Sequence, residues 1–273
     1  IDIHNIDSTV APGDDFFHYA SGNWIKNNPI PPEYSRWGAF NELQEQSNDA
    51  LKTIMEETSA TKNAPKGSSK QLIGDFYAAG MDSVAIEKLG ADPLKNELAA
   101  IDNANTIEDI QNLVAALHQK GVSPLFVFWS GQDEKNSEMV IAQLWQGGLG
   151  LGDRDYYVLN DARSKEIRDK YVIHVSKMFD LLDKNPQSSS ENAKKVMSIE
   201  TKLANASMTL LAMRDPNKVY NKMSLEQLQK MSPKFNWIAY FKNIGLENPG
   251  DINVGQVDFF KYISKVMSEV SVE

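Results

Sequence analysis

Gly147-Gly-Leu-Gly-Leu-Gly-Asp-Arg-Asp-Tyr-Tyr157 sets Gly148, Gly150 and Gly152 at alternate positions ahead of a predicted helix start. A loop that cradles phosphate needs glycines spaced so that backbone N–H groups converge on the anion at a helix N-terminus, after a strand. The spacing here is G-x-G-x-G. The third glycine of G-x-G-x-x-G would have to be Asp153, and no Gly-Lys-Ser/Thr follows. Asp153 and Asp155 would also repel a phosphate. The run therefore reads as a tight connector in which Arg154 and Asp155 fix the next helix by capping or local pairing.

Outward from this connector the pattern is helical. Before it, Pro124–Trp129 and Met139–Trp145 are aromatic and β-branched runs on either side of a turn-like Gly131–Asn136, which predicts one β-hairpin with a long turn over about 124–145. After it, Ile167, Tyr171, His174, Val175, Met178 and Leu182 recur at spacings of three and four. Val196, Ile199, Leu203, Ala206 and Leu210 repeat that pattern, which predicts an antiparallel helix pair joined through polar Asn185–Asn192. Shorter helices are expected over Ser224–Met231, Trp237–Asn243 and Gln256–Val270.

Toward the N-terminus, Asp14 or Asp15 caps a helix carrying Phe16, Tyr19, Ala20 and Trp24, and the prolines of Asn27–Pro32 end it. A long helix is predicted over Ser35–Thr58 with Phe40, Leu43, Leu51, Ile54 and Met55 on or near one face. Thr61–Ser69 is the nearest approach to a linker, and further helices are expected over Lys70–Met81, Asp92–Ile101 and Ile107–Gln119. The fold class is mainly α, a multi-helix assembly with one small hairpin.

Composition excludes several functions. The 273 residues carry a formal charge of −9 with no basic run, which argues against nucleic acid. No apolar run approaches the roughly 20 residues of a membrane span. The chain has no cysteine, so no disulfide and no thiolate metal site. The four histidines, His4, His18, His118 and His174, are far apart and lack the i, i+4 spacing of a helical zinc site. His174 is expected to be a packed residue on the apolar face of its helix. No G-x-S-x-G elbow occurs, and acidic pairs such as Asp14/Asp15, Glu56/Glu57 and Asp153/Asp155 are what solvated helix ends show. No catalytic residue and no metal ligand is assigned.

Three groups of segments together resemble the neprilysin-like family of zinc metalloendopeptidases, which takes in endothelin-converting enzymes and bacterial PepO. The first is Pro12-Gly-Asp-Asp-Phe-Phe-His-Tyr-Ala-Ser-Gly-Asn-Trp24, followed by Ile30-Pro31 and Ser35-Arg-Trp-Gly-Ala-Phe40. The second is Asp133-Glu-Lys-Asn-Ser137 leading to Gly148–Tyr157, and the third is Asp215-Pro216 with Tyr220-Asn-Lys-Met223.

The resemblance implies a parent enzyme that cleaves peptides with zinc. Its H-E-x-x-H helix, downstream Glu ligand and Asn-Ala-Tyr/Phe strand belong to a catalytic C-terminal half, and none of these occurs here. The chain is then expected to be the N-terminal helical region, 1–273, helping to enclose the active-site chamber, binding no zinc and inactive alone.

The arginine of Ser-Arg-aromatic-Gly, which in the family binds the substrate's C-terminal carboxylate, is Arg36; a second, assisting arginine is replaced by Gln44. Gly13 and Ser21 stand where animal members have cysteines, so the resemblance implies a bacterial enzyme acting in the periplasm or cell envelope. In that setting the Asn205-Ala-Ser207 sequon carries little meaning. A chain opening on Ile1, and ending in a helix with no capping glycine, is expected to be trimmed from something longer. The other reading of the same residues is a non-catalytic peptide-binding or interaction module.

Overall fold

The computed structural model describes residues 2–183 and 186–272. The chain forms two compact units, Ile1–Gly90 and Ala91–Glu273. The boundary falls at Gly90, and the polar stretch after Thr61 is instead a loop inside the first unit.

In the first unit, α1 (Phe16–Asn27) is capped by Asp15, which accepts from the His18 amide at 3.0 Å. The helix docks on the N-terminal segment at Gly22, where a Cβ would lie 2.7 Å from that of Asp7. The Asp7 carboxylate, held at a pKa of about 2 chiefly by Lys26 (2.6 Å) and then by Thr9, fixes this contact. Helix α2 (Ala39–Ser59) begins four residues later than expected, since Ser35–Gly38 is not helical and Gly38 offers no capping side chain. It pairs with α3 (Ser69–Met81), capped by Ser68, and Gly74 allows the approach: a Cβ there would sit 2.6 Å from the Thr58 carbonyl oxygen. A short helix, α4 (Ser83–Leu89), was not legible. Asp82 caps it at the Ala85 amide, and Gly90, at φ +53°, ends it before any periodicity can accumulate.

Among the described residues of this unit only Asp7, Gly22 and Gly74 are buried. The apolar stripe of α2 exists, but Phe40, Leu43, Leu51 and Ile54 remain exposed, Phe40 at 90%. On α3, Phe76 is 85% exposed.

The hydrophobic core belongs to the second unit. Its elements are α5 (Lys95–Asp102), α6 (Ile107–Gln119), β1 (Phe126–Asp133), β2 (Asn136–Gln146), α7 (Asp155–Val158), α8 (Ala162–Asp183), α9 (Pro186–Ala206) and α10 (Leu210–Met213). These are followed by β3 (Lys222–Ser224), α11 (Leu225–Met231), α12 (Trp237–Asn243), β4 (Asp251–Val254) and α13 (Val257–Glu269). Asp92–Leu94, expected as the first turn of α5, is a 3-10 turn instead. The connection expected over Asn185–Asn192 begins outside the described residues, and from Pro186 onward the chain is already helical.

The hairpin has longer strands and a tighter turn than expected. Pairing runs from Phe126↔Gln146 to Gln132↔Val140 and, past an irregularity, to Asp133↔Asn136, leaving only Glu134 and Lys135 between strands. Of the residues read as turn, Gly131–Asp133 and Asn136 belong to the strands, with Asp133 buried, and Glu134 and Lys135 form the turn. Two short strands extend the sheet to the order β1-β2-β4-β3, with β4 parallel to β2 and antiparallel to β3. They escape a pattern reading because they are short and because the buried Asn253 interrupts β4, where its amide donates to Gln143 at 2.9 Å and to the Val219 carbonyl at 3.2 Å.

Against one face of this sheet pack Trp237, Tyr240 and Phe241 of α12 and Phe259, Phe260 and Ile263 of α13, all buried. Phe126 lies among the rings of His118, Phe235, Trp237, Tyr240 and Phe260, at centroid separations of 4.9 to 5.7 Å.

The glycine run is a packed connector. Gly148 takes φ +72° with its backbone against Leu125, where a Cβ would approach the Leu125 Cα to 2.7 Å. The space over Gly150 is filled by Tyr171, whose hydroxyl a Cβ would meet at 1.9 Å. Tyr157 accepts from the Leu151 amide (2.8 Å) and donates to Glu200 (2.6 Å), and Tyr171 donates to the other Glu200 oxygen (2.9 Å). Burial, reinforced by Glu200, raises both phenol pKa values, so both protons stay in place. Arg154 donates to the Ala204 carbonyl (3.1 Å) and to Asp155 (2.9 Å), joining the connector to the end of α9. Local pairing, as expected, fixes α7, while the capping role falls outside the side chain of Arg154.

Two of the motif segments meet at the far end of the sheet. The buried Asp133 carboxylate accepts from the Lys135 amide (2.9 Å), the Tyr220 hydroxyl (2.8 Å) and the Lys222 ammonium (3.0 Å), tying the hairpin tip to β3. The Lys135 amide first, then Lys222 and Tyr220, outweigh desolvation and hold its pKa at about 2. A carboxyl depressed on folding contributes stability above its unfolded pKa, near 3.9, and loses it as pH falls through the folded value. Asp133→Asn should therefore lower the melting temperature at pH 7, and its deficit relative to the parent chain should shrink as pH falls from 5 to 2. Thermal melts at intervals across that range check this; a deficit independent of pH would contradict it.

Candidate substrate-binding site

Arg36 lies on Tyr34–Gly38, a strap without regular structure between the proline-rich turn and α2. The strap is built from its neighbours. The Tyr34 amide donates to the Pro31 carbonyl at 3.0 Å, closing the turn. The Tyr34 ring meets Trp37 edge-on, with centroids 4.9 Å apart and planes at 62°. The Tyr34 hydroxyl donates to the Glu45 carboxylate on α2, which also accepts from Asn48 at 3.3 Å. Hydrogen bonding to Glu45 raises the Tyr34 pKa.

Arg36 itself is exposed and has no hydrogen-bond or ion-pair partner among the described residues. A guanidinium is always charged and presents a planar fork that matches a carboxylate. Gln44 turns its amide to Asn48 at 3.0 Å and, being neutral, supplies no second cation. Tyr34 and Glu45 were missed in the sequence. They stand eleven positions apart with a turn between them, so no helical or strand period connects them.

The histidines do not converge. His4 bonds Asp2 at 2.8 Å and His18 bonds Asp15 at 2.7 Å, both in exposed local pairs. His118 is half-buried, with Nδ1 2.7 Å from the Tyr240 hydroxyl, and burial lowers its pKa. His174, expected in the core, is exposed on α8 because the apolar face of that helix turns Tyr171 and Val175 inward instead. Among the described residues no group of three or more His, Cys, Asp or Glu side chains is placed to hold a metal, so the donor set does not fit zinc. Several clefts open in the second unit. One of about 350 Å³ beside the connector is lined by Trp145, Gln146, Arg154, Ser207 and Met208, and another of about 290 Å³ between α6 and α13 is nearly all apolar. The Arg154 guanidinium in the first is engaged by Ala204 and Asp155. No described helix is long and apolar enough to cross a membrane.

The family model described as peptidase family M13 matches residues 12–273. The chain is 32% identical over 251 residues to endothelin-converting enzyme 1 of Rattus norvegicus, covering 89% of this chain and 32% of that protein. It is 31% identical over 281 residues to neprilysin-3 of Drosophila melanogaster, covering 97% and 35%. The chain thus spans about a third of the length of these curated relatives. Among solved structures, the Mycobacterium tuberculosis zinc metalloprotease Zmp1 in complex with inhibitor superposes with a TM-score of 0.88 at 29% identity, over 100% of this chain and 41% of Zmp1. PepO from Lactobacillus rhamnosis shares the fold at 15% identity, with a TM-score of 0.71 over 95% of this chain and 43% of PepO. On this match, which runs through nearly the whole sequence, the chain belongs to peptidase family M13.

Proposed function

We propose that the chain is the substrate-enclosing part of a zinc metalloendopeptidase, inactive by itself, in which Arg36 binds the free C-terminal carboxylate of a peptide. The observation that carries this reading is an exposed arginine, without a partner among the described residues, on a braced strap in a chain of peptidase family M13, which is similar to the zinc metalloprotease Zmp1. A zinc ion held elsewhere in such an enzyme would supply Lewis acidity and an activated water. No group of donors among the described residues fits the ion, so we assign that chemistry to a catalytic half of the same protein. The same half is the proposed cover for the apolar stripes of α2 and α3, which an isolated protein would leave in water.

Arg36→Met in the intact enzyme should weaken turnover of short peptides with a free C-terminus by roughly 1.5 to 3 kcal/mol, the range for a hydrogen bond to a charged group. The same peptides with an amidated C-terminus should be nearly unaffected. Steady-state kinetics on matched acid and amide substrates check this, and equal losses on both would assign Arg36 a role in stability instead.

Purified alone, the 273-residue chain should bind an apolar-surface dye more than an ordinary monomeric protein does, or self-associate. Adding the catalytic half should reduce the signal. A clean monomer with no excess dye binding would favour a stand-alone module.

A further inference from the structure

We infer that Tyr34 is a positioning residue for Arg36, bracing the strap through Glu45 so that the guanidinium is presented ready to bind. The inference rests on the carboxylate reading of Arg36 and adds what fixes the specificity of that subsite.

The strap has no ladder of backbone hydrogen bonds to hold it. Left to itself, an arginine on such a segment would sample many backbone and side-chain states, and binding would have to order all of them. Tyr34 removes much of that freedom. Its hydroxyl reaches past the start of α2 at Ala39 to Glu45, so the strap folds back along the helix. Its ring meets Trp37, so the two residues that bracket Ser35 and Arg36 are held together. Asn48 holds the Glu45 carboxylate from the next turn of α2, so the anchor is itself fixed. Tyr34, Trp37 and Glu45 are each partly buried, whereas Arg36 is exposed: the brace packs and the cation projects.

The contact also orders charge. Glu45 is an acid of α2 bonded to the strap, and it accepts from the Tyr34 hydroxyl and from Asn48. A carboxylate engaged by a phenol and an amide competes less well for the arginine. Arg36 is thereby left to the substrate's terminal carboxylate.

The test is a double-mutant cycle in the intact enzyme on matched free-acid and amidated peptides. Tyr34→Phe keeps the ring contact and removes the hydroxyl. It should raise KM for the free-acid peptide roughly threefold to tenfold, the span of an ordinary hydrogen bond, with kcat unchanged. The amidated peptide should be unaffected, and Tyr34→Phe should add nothing in an Arg36→Met background. Glu45→Ala, which removes the acceptor, should reproduce this pattern, so the result does not hang on one variant. If Tyr34→Phe and Glu45→Ala change both peptides equally, change neither, or add fully to Arg36→Met while Arg36→Met alone still discriminates acid from amide, the brace is overturned and the carboxylate reading stands. If Arg36→Met does not discriminate acid from amide, both fall together.

Discussion

Phe126 is the residue on which the second unit closes. It is fully buried and meets rings from α6, from the segment before α12, from α12 and from α13. To deliver it there the chain accepts a left-handed backbone at Leu125, φ +64°, which costs a non-glycine residue about 1–3 kcal/mol. Truncating a buried phenylalanine typically costs about 3–5 kcal/mol, so the burial wins and the strain persists. Gly148 lies against that same Leu125, and from it the connector runs to Tyr157, Glu200 and the α8–α9 pair. Core, hairpin and connector are therefore one construction. The glycines serve close packing, and the aspartates beside them serve the local turn.

The first unit obeys the opposite rule. Gly74 lets α3 pack on the α2 backbone, and α1 holds the N-terminal segment through Gly22 and Lys26 against Asp7, with no buried apolar side chain among the described residues. A unit built this way has its form specified by polar and backbone contacts and its apolar stripes left available. Arg36 sits in this unit, on a segment braced to its own helix by Tyr34 and Glu45. The proposed division of labour follows. One unit supplies rigidity, the other offers surface and a fixed cation, and the metal chemistry is left to the rest of the protein.

Much of this was readable in the residues. Helices α1, α3, α6 and α8 fall close to the ranges expected for them, α1 with Asp15 as its cap. The hairpin was legible from its apolar runs, but the length of its strands was not, since Gly131 and Gln132 read as turn until paired with Ile141 and Val140. Strands β3 and β4 depend on long-range partners such as Asn253 with Gln143, and no local pattern announces them. His174 shows the limit of periodicity, for it shares the spacing of an apolar stripe yet lies just outside the packed face. The role proposed for Arg36 comes from the family motif around it and from no periodicity. Its brace was not legible, because a contact across a turn leaves no periodic trace.

The carboxylate contact of the intact peptidase is proposed to be Arg36. A crystal structure of the intact protein with a bound free-acid peptide product tests it most directly. The account predicts the terminal carboxylate in bidentate contact with the Arg36 guanidinium, at about 2.7–2.9 Å, with Tyr34 still bonded to Glu45. A terminal carboxylate held by other residues, with Arg36 left in solvent, would contradict it.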